Sequence, residues 1–197
     1  MKRIVLASGN RGKLAEIREI LAGGAIECIA QSELGIDDAE ENGLSFVENA
    51  LIKARHAANA SGLPALADDS GLLVDALGGA PGLISARYAG VHGDATANNR
   101  KLLQALADVP AHLRTAHFFC VVVFLRSAAD PAPIICQGRW HGKILESPRG
   151  VNGFGYDPLF FDPKLGAGAA ELDASVKNQV SHRGQALAQL RQALAMP

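Results

Sequence analysis

The first third of the chain alternates between short apolar runs and segments with helical spacing, and this alternation limits the folds open to it. Residues 3–7 (RIVLA) and 26–30 (IECIA) are typical of short buried strands. Between them, residues 13–21 repeat apolar side chains at the spacing of an amphipathic helix, which Gly23 and Gly24 are expected to end. Strands that alternate with helices are typical of an α/β fold.

A capping signal and a pair of acids follow. Ser45 and Glu48 form an S-x-x-E capping box, which predicts a helix that runs to about Ser61. The next apolar run (PALA) predicts a third short strand, which delivers Asp68 and Asp69 into a tight turn at its end. Charged side chains are rarely buried without partners, so this pair of acids needs an explanation.

The second half of the chain predicts one more helix and then a pair of strands. Asp94 or Thr96 is placed to cap a helix over residues 98–109. Residues 114–126 form the longest strand pattern, and we expect residues 132–145 to form its antiparallel neighbour. Together these elements predict a single α/β domain over the whole chain, built on a mixed sheet.

Composition excludes several classes of function. The chain has 197 residues, of which 48% are hydrophobic and 20% charged, as in ordinary globular domains. A formal net charge of −1 gives no overall basic field of the kind that nucleic-acid-binding proteins carry. The N-terminal apolar run is shorter than that of a signal peptide, and no stretch reaches the ~20 apolar residues of a membrane span. We therefore expect a cytoplasmic protein that binds neither nucleic acid nor membrane.

The three cysteines predict no chemistry of their own. Cys28, Cys120 and Cys136 form no CxxC pair, and each lies in or beside an apolar run. We expect buried or inert thiols rather than metal ligands or a nucleophile. An odd count without a disulfide framework also fits a reducing compartment.

The segment SGNRGK lies between the first strand and the first helix. Glycines there let the backbone approach a phosphate, the helix start offers free amides, and Lys13 adds a positive charge. The spacing is not that of a P-loop, since Gly9 and Gly12 are too close and Leu14 stands where Ser or Thr belongs. A plain glycine turn is the alternative interpretation.

Four acids, Glu40, Glu41, Asp68 and Asp69, fall near predicted element ends. Carboxylates opposite a phosphate-binding loop are typical of Mg²⁺ sites, because Mg²⁺ takes oxygen ligands and bridges phosphates. For the two glutamates, a solvated loop is the alternative. For the two aspartates, metal binding or general-base catalysis is favoured.

Two further motifs are candidates for contact with a nucleotide. GFGYDP lacks the last glycine of a dinucleotide-binding motif, so Phe154 in its glycine frame is instead a candidate to stack on a nucleobase. Burial of Phe154 and Tyr156 in the core is the alternative. SHRG begins with Ser181, the expected N-cap of a last helix, and places the donors His182 and Arg183 at that helix start. For the histidine, a purely structural role is the alternative.

Five stretches occur in one order along the chain. They are LASGNRGKLAEIREIL, LSFVENALIKARHAA, ALADDSGLLVDALGGAPGLISARYAG, GFGYDPLFF and SHRGQAL. This order resembles that of the inosine triphosphate pyrophosphatase family, and most closely its bacterial dITP/XTP pyrophosphatase branch. The resemblance extends from residue 4 to about residue 190, and the combined pattern is highly specific although each motif alone is not.

The resemblance implies both a fold and an activity. The implied fold is a two-lobed α/β structure with a long central mixed sheet flanked by helices, a cleft between the lobes, and a homodimeric assembly. The implied activity is Mg²⁺-dependent hydrolysis of non-standard purine nucleoside triphosphates (dITP, ITP, XTP and dXTP) to the monophosphate and pyrophosphate. Such an enzyme keeps these bases out of DNA and RNA.

The resemblance also implies roles for individual residues. Asp69 matches the metal-binding acid and proposed base, either Glu40 or Glu41 matches the second metal ligand, and for Asp68 a supporting role is favoured over a further ligand. Ser8 stands where the family more often has Thr, which keeps the hydroxyl. The positions matched to substrate binding are Ser8, Gly9, Asn10, Arg11, Gly12, Lys13, Ser70, Phe154, Gly155, Tyr156, Asp157, Lys177, His182 and Arg183.

The implied reaction needs no nucleophilic side chain. A water that Asp69 deprotonates attacks the α-phosphorus, while Mg²⁺, Lys13 and the loop amides neutralise the phosphate oxygens. Two alternatives stay open at this point. One is a pyrophosphatase for standard or methylated nucleotides on a similar fold, and the other is a nucleotide-sensing module without turnover.

Overall fold

The computed structural model describes residues 2–22 and 26–195, so the expected helix stop at Gly23 and Gly24 lies outside the described residues. The strands are β1 (Lys2–Leu6), β2 (Ile26–Ala30), β3 (Ala65–Val74), β4 (Thr115–Leu125), β5 (Ile134–Ile144), β6 (Phe160–Asp162) and β7 (Ala167–Gly168). The α-helices are α1 (Arg11–Leu21), α2 (Phe46–Ser61), α3 (Ala95–Ala105), α4 (Ala174–Val180) and α5 (His182–Ala195).

The strands form one mixed sheet in the order β2-β1-β3-β4-β5-β6-β7. β1 pairs in parallel with β2 and with β3, whereas β6 pairs antiparallel with β5 and with β7. The predicted α/β class with a mixed sheet is therefore confirmed. The two strands that the sequence predicts as neighbours, β4 and β5, are adjacent in the sheet.

The helix boundaries follow from local chemistry. The Ser45 hydroxyl accepts from the Glu48 amide at 3.4 Å, which confirms Ser45 as the N-cap of α2. The Glu48 carboxylate accepts from the Leu44 amide at 3.0 Å, one residue before the N-cap amide that a capping box would use. Gly62 ends that helix in the left-handed region with φ +67°. Of the two candidate caps for α3, the Asp94 carboxylate is the one that accepts from the helix, at 2.9 Å from the Ala97 amide.

The chain divides into two compact units. The first comprises the described residues up to Asp69, Cys120–Gly138 and the residues from Arg183 onward. Its core joins strand residues such as Leu66 and Val122 to apolar faces of α1 and α5. The buried members on the two helices are Leu14, Ile17, Leu21, Ala186, Leu187 and Leu190.

The second unit comprises Ser70–Phe119 and Arg139–His182. Its core is aromatic, with Phe118, Trp140 and Phe160 in mutual contact at centroid distances of 4.6 to 6.3 Å. The Trp140 indole N–H donates to the buried Asp162 carboxylate at 2.7 Å, so this core has a satisfied polar group.

One expectation about secondary structure is wrong, and one helix was not predicted. Asp68 and Asp69 do not end a short strand at a tight turn, because β3 continues for ten residues from Ala65 to Val74. The strand stays buried through the acids because cations lie beside both carboxylates, so the charges do not have to leave the interior. The seven-residue helix α4 was not predicted, since it is too short to show a helical repeat.

Among the described residues, no helix combines the length and the apolar character required to cross a membrane.

Candidate active site

Asp68 and Asp69 lie side by side in the middle of β3, where successive side chains point to opposite faces of the sheet. The two carboxylates therefore have different surroundings although they are neighbours in sequence. Asp68 is 1% exposed and Asp69 is 6% exposed, so both are buried charges that require compensation.

Asp68 belongs to a network of side chains of alternating charge. Its Oδ2 atom is 3.1 Å from the Lys13 ammonium and accepts from Arg183 Nη2 at 3.1 Å and Nε at 3.3 Å. The Arg183 guanidinium also donates to the Glu16 carboxylate, one helical turn after Lys13 on α1. Burial alone would raise the pKa of Asp68, but the charges of Lys13, Arg183 and Lys53 hold it well below its usual value. Asp68 is therefore ionised and holds two cations in place.

The Cys120 thiol lies beside the same carboxylate, with Sγ 3.9 Å from Asp68 Oδ2. Burial, and then the negative charge of Asp68, raise the pKa of Cys120 to about 12. The thiol is therefore protonated and unreactive. All three cysteines are free; Cys120 and Cys136 are buried, as predicted, whereas Cys28 is half-buried.

Asp69 has a different set of partners, which come from α2 and the preceding loop. Its Oδ1 atom is 3.0 Å from the Lys53 ammonium, and Oδ2 accepts from Asn49 Nδ2 at 3.3 Å. The same ammonium is 3.1 Å from Glu41 Oε1. Burial raises the pKa of Asp69, and the charge of Lys53 only partly opposes that rise. Asp69 is therefore a better proton acceptor than an exposed aspartate.

The chemistry of this group fits a divalent cation. The Glu41 and Asp69 carboxylates converge on one point, which the Lys53 ammonium occupies. In the described part of the chain, no three His, Cys, Asp or Glu side chains gather at a spacing suited to a metal ion. Mg²⁺ commonly takes one or two carboxylates and completes its shell with substrate phosphates and water, so two oxygen donors suffice. Glu40, next to Glu41 in sequence, is exposed.

The predicted phosphate loop forms the start of α1. The Asn10 side chain caps the helix by accepting from the Lys13 amide at 3.1 Å, and the Ser8 hydroxyl accepts from the Asn10 amide at 3.2 Å. A Cβ atom on Gly9 would lie 2.6 Å from the Asp38 carboxylate, so a larger residue there would displace that side chain. Gly9 and Arg11 are exposed, whereas Ser8, Asn10, Gly12 and Lys13 are half-buried.

The second unit holds a separate polar group around Asp157. The Asp157 carboxylate accepts from the Lys177 ammonium at 2.6 Å and from the Phe154 amide at 2.8 Å. The same ammonium lies 4.9 Å from the centroid of the Phe154 ring. Asp157 and Lys177 are buried, at 3% and 6% exposure, so this ion pair is desolvated.

The other predicted nucleoside-binding residues are distributed around these two groups. The Tyr156 hydroxyl donates to the Ser85 carbonyl at 2.8 Å, and burial raises its pKa. The His182 ring stacks on Phe118 at 4.8 Å within the second unit. Arg183, the next residue in sequence, belongs instead to the network of charged side chains around Asp68 in the first unit. Ser70 is half-buried.

Comparison with known proteins identifies the relatives of this chain. The sequence model of the Ham1 family matches residues 4–193, which is nearly the whole chain. The chain belongs to the Ham1 family. This confirms the resemblance that the ordered motifs indicate.

Curated and solved relatives of this Ham1 chain agree with that assignment. The proteins named dITP/XTP pyrophosphatase from Xanthomonas campestris pv. campestris (strain 8004) and from Xylella fastidiosa (strain 9a5c) are each 60% identical to it over 194 residues, which cover 98% of this chain and 98% of theirs. The solved HAM1 protein of Coxiella burnetii has a TM-score of 0.90 at 52% identity and covers 98% of both chains. A nucleoside-triphosphatase / dITP/XTP pyrophosphatase from Mycobacterium abscessus has a TM-score of 0.74 at 43% identity, covering 98% of this chain and 100% of that chain.

Three side chains of the charged groups were missed by the sequence analysis: Glu16, Asn49 and Lys53. Asn49 and Lys53 are four residues apart on α2, so the helical repeat puts them on one face. The same holds for Lys13 and Glu16, three apart on α1. Spacing alone could not select them, because exposed polar residues on both helices show the same repeat. Only their proximity to the buried aspartates distinguishes them.

Proposed function

We propose that this Ham1 protein hydrolyses non-standard purine nucleoside triphosphates, dITP and XTP among them, to the monophosphate and pyrophosphate. Its 60% identity over 98% of the chain to proteins named dITP/XTP pyrophosphatase supports the substrate class. The observation that supports this chemistry is that the two adjacent acids of β3, Asp68 and Asp69, have different surroundings. Asp68 holds cations, while Asp69 has a raised pKa beside Glu41 and Lys53.

The cationic end of this arrangement suits a triphosphate. Lys13 lies in the first turn of α1, where its ammonium adds to the positive end of the helix dipole. Asp68 and Arg183 limit the positions open to that ammonium, so the charge is held before the substrate binds. We assign the phosphates to this helix start and to the residues Ser8, Gly9, Asn10, Arg11, Gly12 and Lys13.

Asp69 is the general base in this proposal. It accepts a proton from a water molecule, which attacks the α-phosphorus, and pyrophosphate leaves. Its raised pKa makes proton transfer from water easier than at an ordinary carboxylate. Asn49 fixes the orientation of the carboxylate by donating to its Oδ2 atom.

Glu41, and not Glu40, is the proposed partner of Asp69 in holding Mg²⁺. Both carboxylates already face one cation, the Lys53 ammonium, whereas the Glu40 side chain is exposed. When bound, Mg²⁺ neutralises the phosphate oxygens on which charge develops.

We assign the purine to the group around Asp157 in the second unit. The Lys177 ammonium and the Asp157 carboxylate offer a donor and an acceptor side by side. Hypoxanthine and xanthine present the complementary O6 acceptor and N1–H donor, whereas adenine presents a donor and an acceptor in the reverse order. The Phe154 ring is the proposed stacking surface, and Ser70, Gly155, Tyr156 and His182 are the further proposed contacts. Arg183 supports the phosphate end through Asp68.

A substrate panel tests this function. Pyrophosphate release is measured from dITP, ITP, XTP, dGTP and dATP, with and without Mg²⁺, and hydrolysis in ¹⁸O-labelled water locates the cleaved bond. We expect label in the monophosphate and preference for the keto purines without a 2-amino group. Preference for dGTP or dATP would favour a pyrophosphatase for standard nucleotides, and tight binding without any pyrophosphate release would favour a nucleotide sensor.

Variants of Lys177 and Phe154 test the assignment of the purine to this group of residues. Lys177→Met is expected to narrow the preference for ITP over ATP by slowing ITP hydrolysis. Phe154→Ala serves as the matched variant, because stacking is nearly indifferent to base identity and its loss weakens all purines alike. If Phe154→Ala alone erased the preference, base shape rather than hydrogen bonding would select the substrate. The cleft between two lobes and the homodimer that the resemblance implies stay predictions, and light scattering tests the latter.

A further inference from the structure

The loop that carries Phe154 and Asp157 contains two residues whose backbone is intrinsically permissive. Gly153 and Gly155 both lie in the left-handed region, at φ +73° and +62°. Glycine has no side chain that could hold such a conformation by packing, so the loop conformation depends on hydrogen bonds. The Asp157 carboxylate supplies one from within the loop by accepting from the Phe154 amide at 2.8 Å.

A hydrogen bond from outside the loop comes from Asn99 on α3. Its Nδ2 atom donates to the carbonyl oxygen of Gly155 at 2.9 Å. This bond orients the peptide between Gly155 and Tyr156, one peptide beyond the bond that joins Phe154 to Gly155. The next residue, Tyr156, is held separately, because its hydroxyl donates to the Ser85 carbonyl at 2.8 Å. The bond from Asn99 therefore acts on Gly155, the residue between Phe154 and Tyr156.

The oxygen of the Asn99 side-chain amide does not explain why asparagine stands at this position. Its Oδ1 atom is buried, and within residues 2–22 and 26–195 it has no hydrogen-bond partner. A buried amide oxygen without a partner destabilises a fold, so the position gains from asparagine only through the donor. That donor ends on the Gly155 carbonyl.

We propose that Asn99 is a positioning residue for purine recognition, which holds the Gly155 carbonyl so that Phe154 and the Lys177–Asp157 pair keep their orientation. The inference rests on the function proposed above, because it assigns Asn99 to the purine end of the substrate. Asn99 has no assigned part at the phosphate end, where Lys13, Lys53 and Asp69 act. Loss of its donor therefore weakens binding of the base and leaves binding of phosphate unchanged.

The test compares Asn99→Ala with Gln104→Ala, a matched change of an exposed side chain on the same helix. For Asn99→Ala, we expect KM for ITP to rise by about 3- to 10-fold with kcat nearly unchanged, as for the loss of one neutral hydrogen bond. The inhibition constant of inorganic tripolyphosphate, which has no base, should stay at the wild-type value. Gln104→Ala should leave both constants unchanged. Equal rises in the constants for ITP and tripolyphosphate would overturn the inference.

A pH series on Asn99→Asp gives a signature that a purely structural role would not produce. The ionised carboxylate cannot donate to the Gly155 carbonyl, but the protonated carboxyl can. The ratio of KM for ITP to the wild-type value should therefore fall as the pH is lowered from 7 towards about 4, where an ordinary aspartate carboxyl becomes protonated, whereas the ratio for Asn99→Ala should stay constant. A ratio for Asn99→Asp that is independent of pH would overturn the inference. This series also decides the question if Asn99→Ala proves too unstable to assay.

Calorimetric binding separates this inference from the proposed function. If wild-type protein binds ITP no more tightly than tripolyphosphate, the purine assignment fails and the role of Asn99 fails with it. If wild type prefers ITP and Asn99→Ala keeps the whole preference, only the role of Asn99 is refuted. A preference that shrinks in Asn99→Ala and not in Gln104→Ala supports the proposal.

Discussion

Replacing Asp68 with asparagine is expected to destabilise the protein far more than the same replacement at the adjacent Asp69. Asparagine and aspartate side chains have nearly the same volume, and the carboxylates of Asp68 and Asp69 are both buried. They differ in their electrostatic surroundings. The cations beside Asp68 hold its pKa below the usual value, whereas burial raises the pKa of Asp69. The fold therefore favours the ionised form at one position and disfavours it at the other.

The magnitude follows from the contacts of Asp68. Its carboxylate is 3.1 Å from Lys13 Nζ and 3.1 Å from Arg183 Nη2, with almost no access to water. Removing one partner of a buried ion pair costs about 3–5 kcal/mol, because the remaining charges lose their compensation. In a chain of this size that loss lowers the melting temperature by roughly 6–20 °C. At Asp69, a change of about 1 kcal/mol or less is expected, since neutral Asn removes a charge that burial disfavours and Lys53 keeps its ion pair with Glu41.

Activity should show the opposite order. Asp69→Asn is expected to lose pyrophosphate release by roughly 10²-fold or more, since it removes the proposed base and metal ligand while the fold stays intact. Because the pKa of Asp69 is raised, the acid limb of kcat/KM should lie above the ordinary aspartate value of 3.8. Activity is then lost as the pH falls through that raised pKa, and an acid limb at or below the ordinary value would contradict the assignment.

Thermal melts and urea titrations of both variants against wild type measure the stability difference. Because the pKa of Asp68 is depressed in the folded state, its stabilisation is complete above the ordinary value of 3.8 and declines as the pH falls further. The gap between wild type and Asp68→Asn should therefore be constant near neutral pH and narrow in acid. The reasoning is refuted if Asp68→Asn melts within about 2 °C of wild type at neutral pH, or if Asp69→Asn is the less stable variant.

Two further pairs of variants test the site. Glu41→Gln should slow pyrophosphate release from dITP by roughly 10-fold or more and raise the Mg²⁺ concentration for half-maximal rate. Glu40→Gln should leave both near the wild-type value, and equal effects would show that the Lys53 contact does not mark the metal ligand. In the loop, Gly153→Ala should raise KM for ITP strongly, because a Cβ there would overlap the Asp157 carboxylate in addition to the left-handed strain. At Gly155 a Cβ meets no atom of the described residues within 4 Å, so Gly155→Ala should cost about 1–2 kcal/mol of stability and raise KM less than Gly153→Ala does. An equal effect on KM would exclude the steric explanation.

The sequence alone determined the elements whose signals are local. The helices α2 and α5 and the strands β1 and β4 were predicted because capping residues and apolar periodicity act within a few positions of one another. The α/β class followed from their alternation. The family followed from the order of five stretches, which needs no coordinates. The pair Asp68 and Asp69 was also singled out correctly as two charges that require compensation.

Only the tertiary structure decided how that compensation is made. β3 runs on through both acids, against the expected turn, because Lys13, Lys53 and Arg183 reach the strand from three different helices. Arg183 is 115 residues from Asp68 in sequence, and no periodicity relates positions so far apart. A strand sends neighbouring side chains to opposite faces, so two adjacent acids acquire opposite pKa shifts from groups that the chain brings together only when it folds.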